Sequence, residues 1–315
     1  MAVKVFIDGS EGTTGLRIFE RFEGRDDIEL MKIDPEKRKD PSERAKMINS
    51  SDITFLCLPD DASRESVSLV TNDKVRIIDT STAHRTLDDW TYGFPELKKG
   101  QREAIRESNR VAVPGCYATG FISLAHPMVS SGIMGADYPV SSFAVSGYSG
   151  AGKKAIAVYE GDEKPYEFNS PREYALTQNH KHLKEMKKIS GLSKTPLFSP
   201  IVDDYYSGMF VTIPLYADML QKKVTPLDVH KMFSEYYAGE QFIKVMDFGA
   251  ESETNGFIGA NIRSGWDGLE IFITGNEERI LLTSRFDNLG KGASGAAVQC
   301  MNIILGVSEA KGLNL

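Results

Sequence analysis

The sequence contains few cysteines, and none of them lies in a pairing pattern. Cys57, Cys116 and Cys300 are the three cysteines of the 315 residues, and no two of them form a C-x-x-C pair. This pattern argues against a disulfide framework and a structural zinc site, and it favours a reducing compartment. The chain also lacks an apolar run of the roughly 20 residues that a membrane helix needs, and it begins with a strand pattern where a signal peptide would stand. We therefore expect a cytoplasmic protein that contacts no membrane.

An excess of positive charge is also absent. The chain has 37 Lys and Arg against 44 Asp and Glu, which gives a formal net charge of -7. Because phosphate backbones select basic surfaces, nucleic acid is not expected as a partner, and a small molecule is. The hydrophobic content of 41% and charged content of 26% are typical of a globular protein. At this length two domains are expected.

The first third of the chain alternates β-branched runs with segments long enough for crossover helices. The runs are VKVFI, IELMKI, ITFLCL, VRIID and RVAV. This rhythm predicts a doubly wound parallel sheet in an α/β domain. The nearly continuous apolar character of ITFLCL suits a strand covered on both faces, so Cys57 within it is predicted to lie in the core. Cys300, in a helical apolar segment, is interpreted in the same way.

From about Ser142 the pattern changes to closely spaced strand-like runs. These are SSFAVSG, MFVTIPL, FIKVM, GFIGANIR, GLEIFITG and RILLTSRF. Turn signals such as SGWDG and GNEE separate several of them and predict an antiparallel sheet. Helical patterns occur at HKHLKEMKKI, at PLDVHKMFSEYY and, near the end of the chain, in GASGAAVQCMNIILG. The second part is therefore predicted to be α+β.

A glycine-rich turn follows the first predicted strand. Gly9, Gly12 and Gly15 have the spacing G-x-x-G-x-x-G, a variant of the dinucleotide-binding fingerprint. Glycines there let the backbone approach a pyrophosphate, which then lies on the N–H groups of the following helix. Glycines also cluster in turns for conformational reasons alone, but the strand before and the amphipathic helix after favour a dinucleotide site. Hydroxyl donors are available from Ser10, Thr13 and Thr14.

The segment after the second strand leaves the choice of dinucleotide open. Asp34 in KIDPEKRKD would accept hydrogen bonds from an adenosine ribose and favour NAD. Lys37, Arg38 or Lys39 would instead hold the 2′-phosphate of NADP. Each of these side chains is equally compatible with a solvated loop.

Cys116 lies between a predicted strand end and a predicted helix start, in RVAVPGCYATGF. In an open α/β sheet such strand ends point into the ligand crevice, and helix N–H groups lower the pKa of a thiol. We therefore predict a nucleophilic thiolate. The segment TQNHKHLKEM supplies His180, His182 and Glu185 as a possible base and its orienting carboxylate, since His182 and Glu185 share one face if the segment is helical. The alternative is a solvated histidine pair on a lysine-rich helix.

The motif VPGCYATG resembles the active-site cysteine motif of N-acetyl-γ-glutamyl-phosphate reductases. GSEGTTG, DTSTAHR, SGYSGAGKKA, NHKH and DNLGKGASGAAVQCMN extend the similarity over nearly the whole chain, at a length similar to the short, type 2 branch. The resemblance implies a Rossmann domain over residues 1–115 with the C-terminal helix 289–315, and a glyceraldehyde-3-phosphate-dehydrogenase-like catalytic domain over residues 116–288. It also implies NADPH as cofactor, a place in arginine biosynthesis and a homo-oligomer, either a dimer or a tetramer.

The same resemblance implies roles for individual residues. Cys116 corresponds to the nucleophile and His182 to the motif histidine, with His180 and Glu185 as neighbours. The residues that match segments near the nicotinamide are Ser149, Gly150 and Asn288. The longer branch usually has SADFR where this chain has STAHR, so the substrate role expected for Arg85 rests on a divergent segment.

A thiolate, a dinucleotide and an imidazole together suit the reductive dephosphorylation of an acyl phosphate. The expected reaction is reduction of N-acetyl-glutamyl 5-phosphate to the 5-semialdehyde through a thioester on Cys116. Aspartate-semialdehyde dehydrogenase or another acyl-phosphate reductase is the nearest alternative, although the former typically has asparagine where this chain has Tyr117. A cysteine hydrolase using Cys116 and His182 without a redox cofactor, and a dinucleotide-sensing regulatory protein, are alternatives from other classes.

Overall fold

The structure, a computed structural model, describes residues 2–315 and divides into two units. The first contains the residues up to Gly115 together with Ala293–Leu313, and the second contains Cys116–Gly292 together with Asn314–Leu315. The strands are β1 (Val3–Asp8), β2 (Ile28–Met31), β3 (Ile53–Leu56), β4 (Arg76–Asp79), β5 (Thr91–Tyr92), β6 (Arg110–Ala112), β7 (Ser141–Gly147), β8 (Arg172–Glu173), β9 (Leu197–Asp203), β10 (Met209–Tyr216), β11 (Ile243–Val245), β12 (Leu269–Gly275) and β13 (Arg279–Phe286). The α-helices are α1 (Thr13–Arg21), α2 (Pro41–Ser50), α3 (Asp60–Ser68), α4 (Gln101–Glu107), α5 (Cys116–Ser130), α6 (Lys153–Glu160), α7 (Leu183–Ser190), α8 (Pro226–Tyr236) and α9 (Gly295–Leu305).

The first unit is built on a parallel sheet in the order β2-β1-β3-β4-β6-β5. Successive side chains of β1 enter different cores: Val5 and Ile7 pack in one cluster and Phe6 in another. Because strand side chains alternate between the two faces, helices must cover both of them. Ile18 of α1 belongs to the first cluster and Ile48 of α2 to the second. The predicted doubly wound α/β domain is therefore confirmed.

The second unit contains a sheet in the order β11-β12-β13-β10-β7-β9-β8. The prediction of an antiparallel sheet is wrong in part, since β7 pairs with β9 and β11 pairs with β12 in parallel. Parallel neighbours need a crossover connection, and the β7–β9 connection contains α6 and α7. The sheet is therefore mixed, which agrees with the α+β prediction for this part of the chain.

Two local predictions in the second unit fail for identifiable reasons. The run GFIGANIR does not form a strand: its first residue, Gly256, has a φ of 81°, and residues 260–263 form a 3₁₀ turn. Strand β9, which contains Pro200, was not among the predicted strands. It is nonetheless paired on both sides, by β7 and by β8.

Candidate active site

The glycine-rich turn after β1 has no room for a side chain at its first and last glycines. Gly9 has a φ of 89°, and a Cβ atom there would lie 2.4 Å from the carbonyl oxygen of Cys57. A Cβ atom at Gly15 would lie 2.4 Å from the carbonyl oxygen of Gly9, while the Gly12 N–H donates to that same oxygen at 3.0 Å. Among the described residues, no side chain makes a capping hydrogen bond at the start of α1. The first backbone N–H groups of this helix lie at the positive end of its dipole and can bind an anion. Such a cradle suits a pyrophosphate.

Arg38 lies beside this turn. Its Nη1 atom is 2.6 Å from a carboxylate oxygen of Glu11, which stands between the first two glycines. Asp34, the residue that would favour NAD, accepts a hydrogen bond from the Glu36 backbone N–H at 3.0 Å and so stabilises its own turn. Among the side chains that could select NAD or NADP, Arg38 is thus the one that contacts the glycine-rich turn.

Cys116 is the first residue of α5, a position at which the helix dipole favours the thiolate form of a cysteine. The helix is fixed closely against the sheet through Gly120, where a Cβ atom would lie 2.6 Å from the side chain of Val211. Gly292 covers the other side of the cysteine, since a Cβ atom there would lie 2.9 Å from the Cβ of Cys116. The thiol-bearing residue is partly exposed. Its backbone position is therefore set by two glycine contacts.

Aromatic rings group around the residue that follows the cysteine. The ring centroid of Tyr117 is 5.6 Å from that of His180, 6.0 Å from that of His182 and 6.4 Å from that of Tyr174. The two imidazoles are themselves 4.7 Å apart. Phe198 closes the group, with its centroid 5.2 Å from that of Tyr117. Tyr117 thus meets residues that lie more than 50 positions later in the sequence, next to Cys116.

The hydroxyl groups of Tyr117 and Tyr174 remain protonated at neutral pH. Burial raises the pKa of Tyr117 well above its usual value, and the neighbouring Tyr174 and Cys116 add to the shift. Burial also raises the pKa of Tyr174, with a further contribution from Cys116. The Tyr174 side chain further raises the pKa of Tyr117, whereas the Ser146 hydroxyl lowers it. Both hydroxyl groups lie near the Cys116 sulfur, so that a negative charge on the sulfur raises the pKa of each.

The histidine pair lies just before a helix, where the sequence predicted a helix from His180 onward. Helix α7 begins at Leu183, and His182 occupies the position immediately before it. The backbone N–H of His182 donates to Nδ1 of His180 at 3.1 Å, an interaction that a helical His180 would not make. Glu185 lies in the first turn of α7 and is buried. Its orienting role toward His182 stays a prediction.

Asn288 connects two segments that the sequence analysis had singled out separately. Its side-chain amide nitrogen donates to the Ser149 hydroxyl at 2.8 Å, and its oxygen accepts from the Gly208 N–H at 3.0 Å. A Cβ atom at Gly150 would lie 3.1 Å from the same amide nitrogen. The structure therefore brings Ser149, Gly150 and Asn288 together, and their place near the nicotinamide stays a prediction.

Arg85 makes backbone contacts within the first unit. It is 7% exposed, its Nε atom donates to the Val113 carbonyl at 2.8 Å, and its Nη2 atom donates to the Thr80 carbonyl at 2.8 Å. These bonds connect the segments that follow β4 and β6, the second of which leads to Cys116. They give Arg85 a structural role, and its contact with substrate stays a prediction.

The other two cysteines differ from Cys116. Cys300 is fully buried on α9, as predicted. Cys57 packs against the core but is only partly buried as a residue, and burial of its thiol raises the pKa to about 12. Among residues 2–315, no group of three His, Cys, Asp or Glu side chains is arranged to hold a metal ion, and no helix is long and apolar enough to cross a membrane.

Sequence reasoning missed several residues of the site. Tyr117 follows Cys116 directly in the sequence, and this adjacency is the signal that could have predicted its place in the site. Gly292 lies within DNLGKGASG, and its tight contact was not foreseeable from the motif. Tyr174 and Ser146 carry no sequence signal, because their proximity depends on how β7, β8 and β9 pair.

Two family models match this chain. Residues 5–108 match the semialdehyde dehydrogenase NAD binding domain, and residues 116–288 match the semialdehyde dehydrogenase dimerisation domain. N-acetyl-gamma-glutamyl-phosphate reductase 2 of Nostoc sp. is 47% identical over 98% of this chain and 99% of its own length. The reductase of Sinorhizobium medicae is 46% identical over 97% of this chain and 99% of its own.

Solved structures share the fold at much lower identity. Aspartate semialdehyde dehydrogenase from Francisella tularensis superposes with a TM-score of 0.73 at 16% identity, covering 96% of this chain and 100% of that one. The enzyme from Candida albicans, solved with NADP, gives a TM-score of 0.64 at 14% identity, covering 97% and 99%. The fold is thus shared with aspartate-semialdehyde dehydrogenases, whereas the sequence is much more similar to N-acetyl-γ-glutamyl-phosphate reductases. The chain belongs to the N-acetyl-γ-glutamyl-phosphate reductase family of semialdehyde dehydrogenases.

Proposed function

We propose that this chain reduces N-acetyl-glutamyl 5-phosphate to N-acetyl-glutamate 5-semialdehyde with NADPH and releases phosphate, a step of arginine biosynthesis. The observation that carries the proposal is Cys116 at the start of α5 beside the His180 and His182 rings, in a chain whose relatives of this name are 46–47% identical over nearly their full length. We place the reaction in the cytoplasm.

The glycine cradle fits the cofactor, because side chains at Gly9 and Gly15 would fill the space that a pyrophosphate needs. Arg38 would hold the 2′-phosphate of NADPH after leaving Glu11, since a guanidinium pairs well with phosphate. When bound, the nicotinamide supplies a hydride. The other residues proposed to contact the cofactor are Ser10, Gly12, Thr13, Thr14, Ser149, Gly150 and Asn288.

The covalent step begins at the thiolate of Cys116. Its sulfur attacks the acyl carbon, a C–S bond forms, and the C–O bond to phosphate breaks with its electron pair leaving on phosphate. A thioester remains on Cys116. The first amides of α5 are proposed to donate to the oxyanion that develops at the carbonyl oxygen.

The histidine acts when the aldehyde is released. Reduction of the thioester carbon leaves a thiohemiacetal oxyanion, which the α5 amides and protonated His182 would stabilise. His182 gives its proton to that oxygen and takes it back as the carbonyl re-forms and the C–S bond breaks. The electron pair of that bond returns to sulfur, so Cys116 is again a thiolate. His180 supports His182 through the bond between Nδ1 and the His182 backbone.

The same chain is proposed to form a homodimer through the second unit. Pro214 and Leu281 lie opposite each other in the sheet, and Phe143 and Phe210 on the same face have centroids 6.4 Å apart. Phe143 and Leu281 are 39% and 38% exposed. An apolar sheet face of this kind is typical of a subunit interface, and the matched family region is described as a dimerisation domain.

The decisive experiment is a substrate panel in the reverse direction. Purified protein is given phosphate, NADP and either N-acetyl-glutamate 5-semialdehyde or aspartate 4-semialdehyde, and NADPH formation is followed. We expect turnover with the first aldehyde and at most trace turnover with the second. Preference for the aspartate compound would favour the rival dehydrogenase. A thermal shift on adding NADPH without turnover of either aldehyde would favour a sensor, and the absence of both the shift and the turnover would favour a cysteine hydrolase.

A further inference from the structure

Arg172 differs from the other arginines of the second unit in its electrostatic environment. Arg263 and Arg285 both pair with the buried Glu270, and Arg279 pairs with Glu278. Within residues 2–315, Arg172 has no carboxylate in ion-pair contact, and its buried Nε atom has no hydrogen-bond partner. A buried donor without a partner is costly, so such a group is usually kept for a ligand.

The guanidinium of Arg172 is nevertheless held in place. Its central carbon lies 3.3 Å from the ring centroid of Phe168, and its Nη2 atom donates to the Tyr159 hydroxyl at 2.6 Å. Tyr159 is stacked on Tyr148 with centroids 4.4 Å apart. An arginine fixed by stacking and by one neutral hydrogen bond keeps its charge and most of its donors for a further partner.

The position of Arg172 connects it with the candidate active site. It lies on β8, paired with Val202, and the ladder continues to Tyr174, whose N–H donates to the Pro200 carbonyl at 3.0 Å. Residues two apart on a strand share a face, so Arg172 lies on the same side as Tyr174. The Tyr174 ring contacts both Tyr117 and His180.

We propose that Arg172 binds the α-carboxylate of the N-acylated amino-acid substrate, through its Nε and one terminal nitrogen. A planar guanidinium matches a carboxylate with two parallel hydrogen bonds. Arg85, the arginine that the sequence suggested for the substrate, instead donates to two backbone carbonyls. This inference rests on the proposed function. It adds the residue that recognises the part of the substrate remote from the reacting phosphate.

The test separates the substrate carboxylate from phosphate by running the reaction in reverse. KM values for N-acetyl-glutamate 5-semialdehyde, phosphate and NADP are measured for the wild type, Arg172→Gln and Arg172→Lys. We expect Arg172→Gln to raise the KM for the semialdehyde by about 10- to 100-fold, as for loss of a charge-assisted pair, with the KM for phosphate and NADP unchanged. Arg172→Lys should recover part of this loss. A rise confined to the KM for phosphate would overturn the assignment.

A second readout does not depend on turnover. N-acetyl-glutamate carries the α-carboxylate but no phosphate, so it should protect Cys116 of the wild type from iodoacetamide and should protect Arg172→Gln at least 10-fold less well. Arg106→Ala, at an exposed arginine of α4, is the matched control and should behave as the wild type. Equal protection of wild type and Arg172→Gln would refute the inference even if the semialdehyde proves not to be the substrate. Absence of turnover in the wild type would by contrast refute the proposed function.

Discussion

At the scale of single residues, the three cysteines have three environments that chemistry can tell apart. Cys116 lies at a helix start and is partly exposed, Cys300 is fully buried with its sulfur 3.4 Å from the Gly93 carbonyl, and burial raises the pKa of Cys57 to about 12. Only a thiolate is a good nucleophile. The reactivity of the three residues therefore follows from helix position and burial.

Iodoacetamide should label one cysteine per chain at pH 7. A raised pKa leaves Cys57 protonated at every pH well below 12, and Cys300 is inaccessible, so Cys116 alone should react, and faster than free cysteine. Peptide mass spectrometry after brief labelling checks this, with turnover measured in parallel. Cys116→Ser should take up no label and lose reductase activity. Near-normal activity in that variant would disprove the covalent mechanism.

Replacing either histidine distinguishes the acid/base residue from its neighbour. His182→Asn removes the titratable group, so kcat should fall by about 100-fold or more, with NADPH affinity unchanged, and the low-pH limb of the rate profile should change. His180→Asn should have the smaller effect, because His180 accepts a hydrogen bond from the His182 backbone. A larger loss for His180→Asn would assign the proton transfer to His180 and remove the orienting role predicted for Glu185.

Arg38 tests the preference for NADPH. Arg38→Ala should weaken NADPH binding by about tenfold or more and NADH binding little, because only NADPH offers a 2′-phosphate to the guanidinium. Dissociation constants from the quenching of protein fluorescence check this for both cofactors. The matched control is Arg17→Ala, at a half-exposed arginine of α1 that pairs with Glu20. Equal losses for both cofactors would mean that Arg38 does not contact the 2′-phosphate.

At the scale of elements, the segment after β13 sets the position of the nucleophile. Asp287 accepts hydrogen bonds from the N–H groups of Leu289 and Gly290 at 2.7 and 2.8 Å, and its backbone carbonyl accepts from the Gly292 N–H at 3.1 Å. A π-helical turn follows over Gly290–Ser294. The bonds to Asp287 hold Gly292 against the first residue of α5. A change in the conformation of this segment would therefore move Cys116.

Gly292→Ala should therefore lower kcat and leave the affinity for the cofactor unchanged. The added methyl group would lie 2.9 Å from the Cβ of Cys116 and 3.2 Å from the Asp287 carbonyl oxygen, so one of them must shift. A displacement of about 1 Å costs roughly 100-fold in rate, and the alkylation rate of Cys116 should change as well. Gly265→Ala is not a suitable control because its φ is 77°. Ser193→Ala, at an exposed serine of the second unit, is the control and should fold and retain most activity.

The elements also show where sequence reasoning succeeds. The parallel sheet, the start of α5 at Cys116 and the glycine turn were predictable, because each depends on a local pattern or on chain order. Strand β9 was missed, and it is formed by pairing with β7 and β8, contacts that the local sequence does not reveal. The predicted helix starts three residues too early because histidine and lysine are compatible with helix, and the His180–His182 bond is a tertiary detail.

At the scale of the whole molecule, the sheet of the second unit has one face packed on α5 and an opposite face that is partly exposed. Val211 points toward Gly120 of α5, so its strand neighbours Phe210 and Thr212 point the other way. Leu281 lies on that second face, opposite Pro214. A protein that leaves such a face in water would risk non-specific association, which a dedicated subunit contact prevents.

Analytical ultracentrifugation should therefore show a dimer at micromolar concentration. Leu281→Glu places a charge on the apolar face and should shift the population toward monomer, because an unpaired charge is costly to bury in an interface. Leu227→Glu, at a leucine of α8 that is 42% exposed, is the matched control and should leave the mass unchanged. Since charge on an exposed face has little effect on folding, both variants should melt close to the wild-type temperature at low concentration. A Leu281→Glu protein that sediments as the wild type would show that subunits associate through another surface.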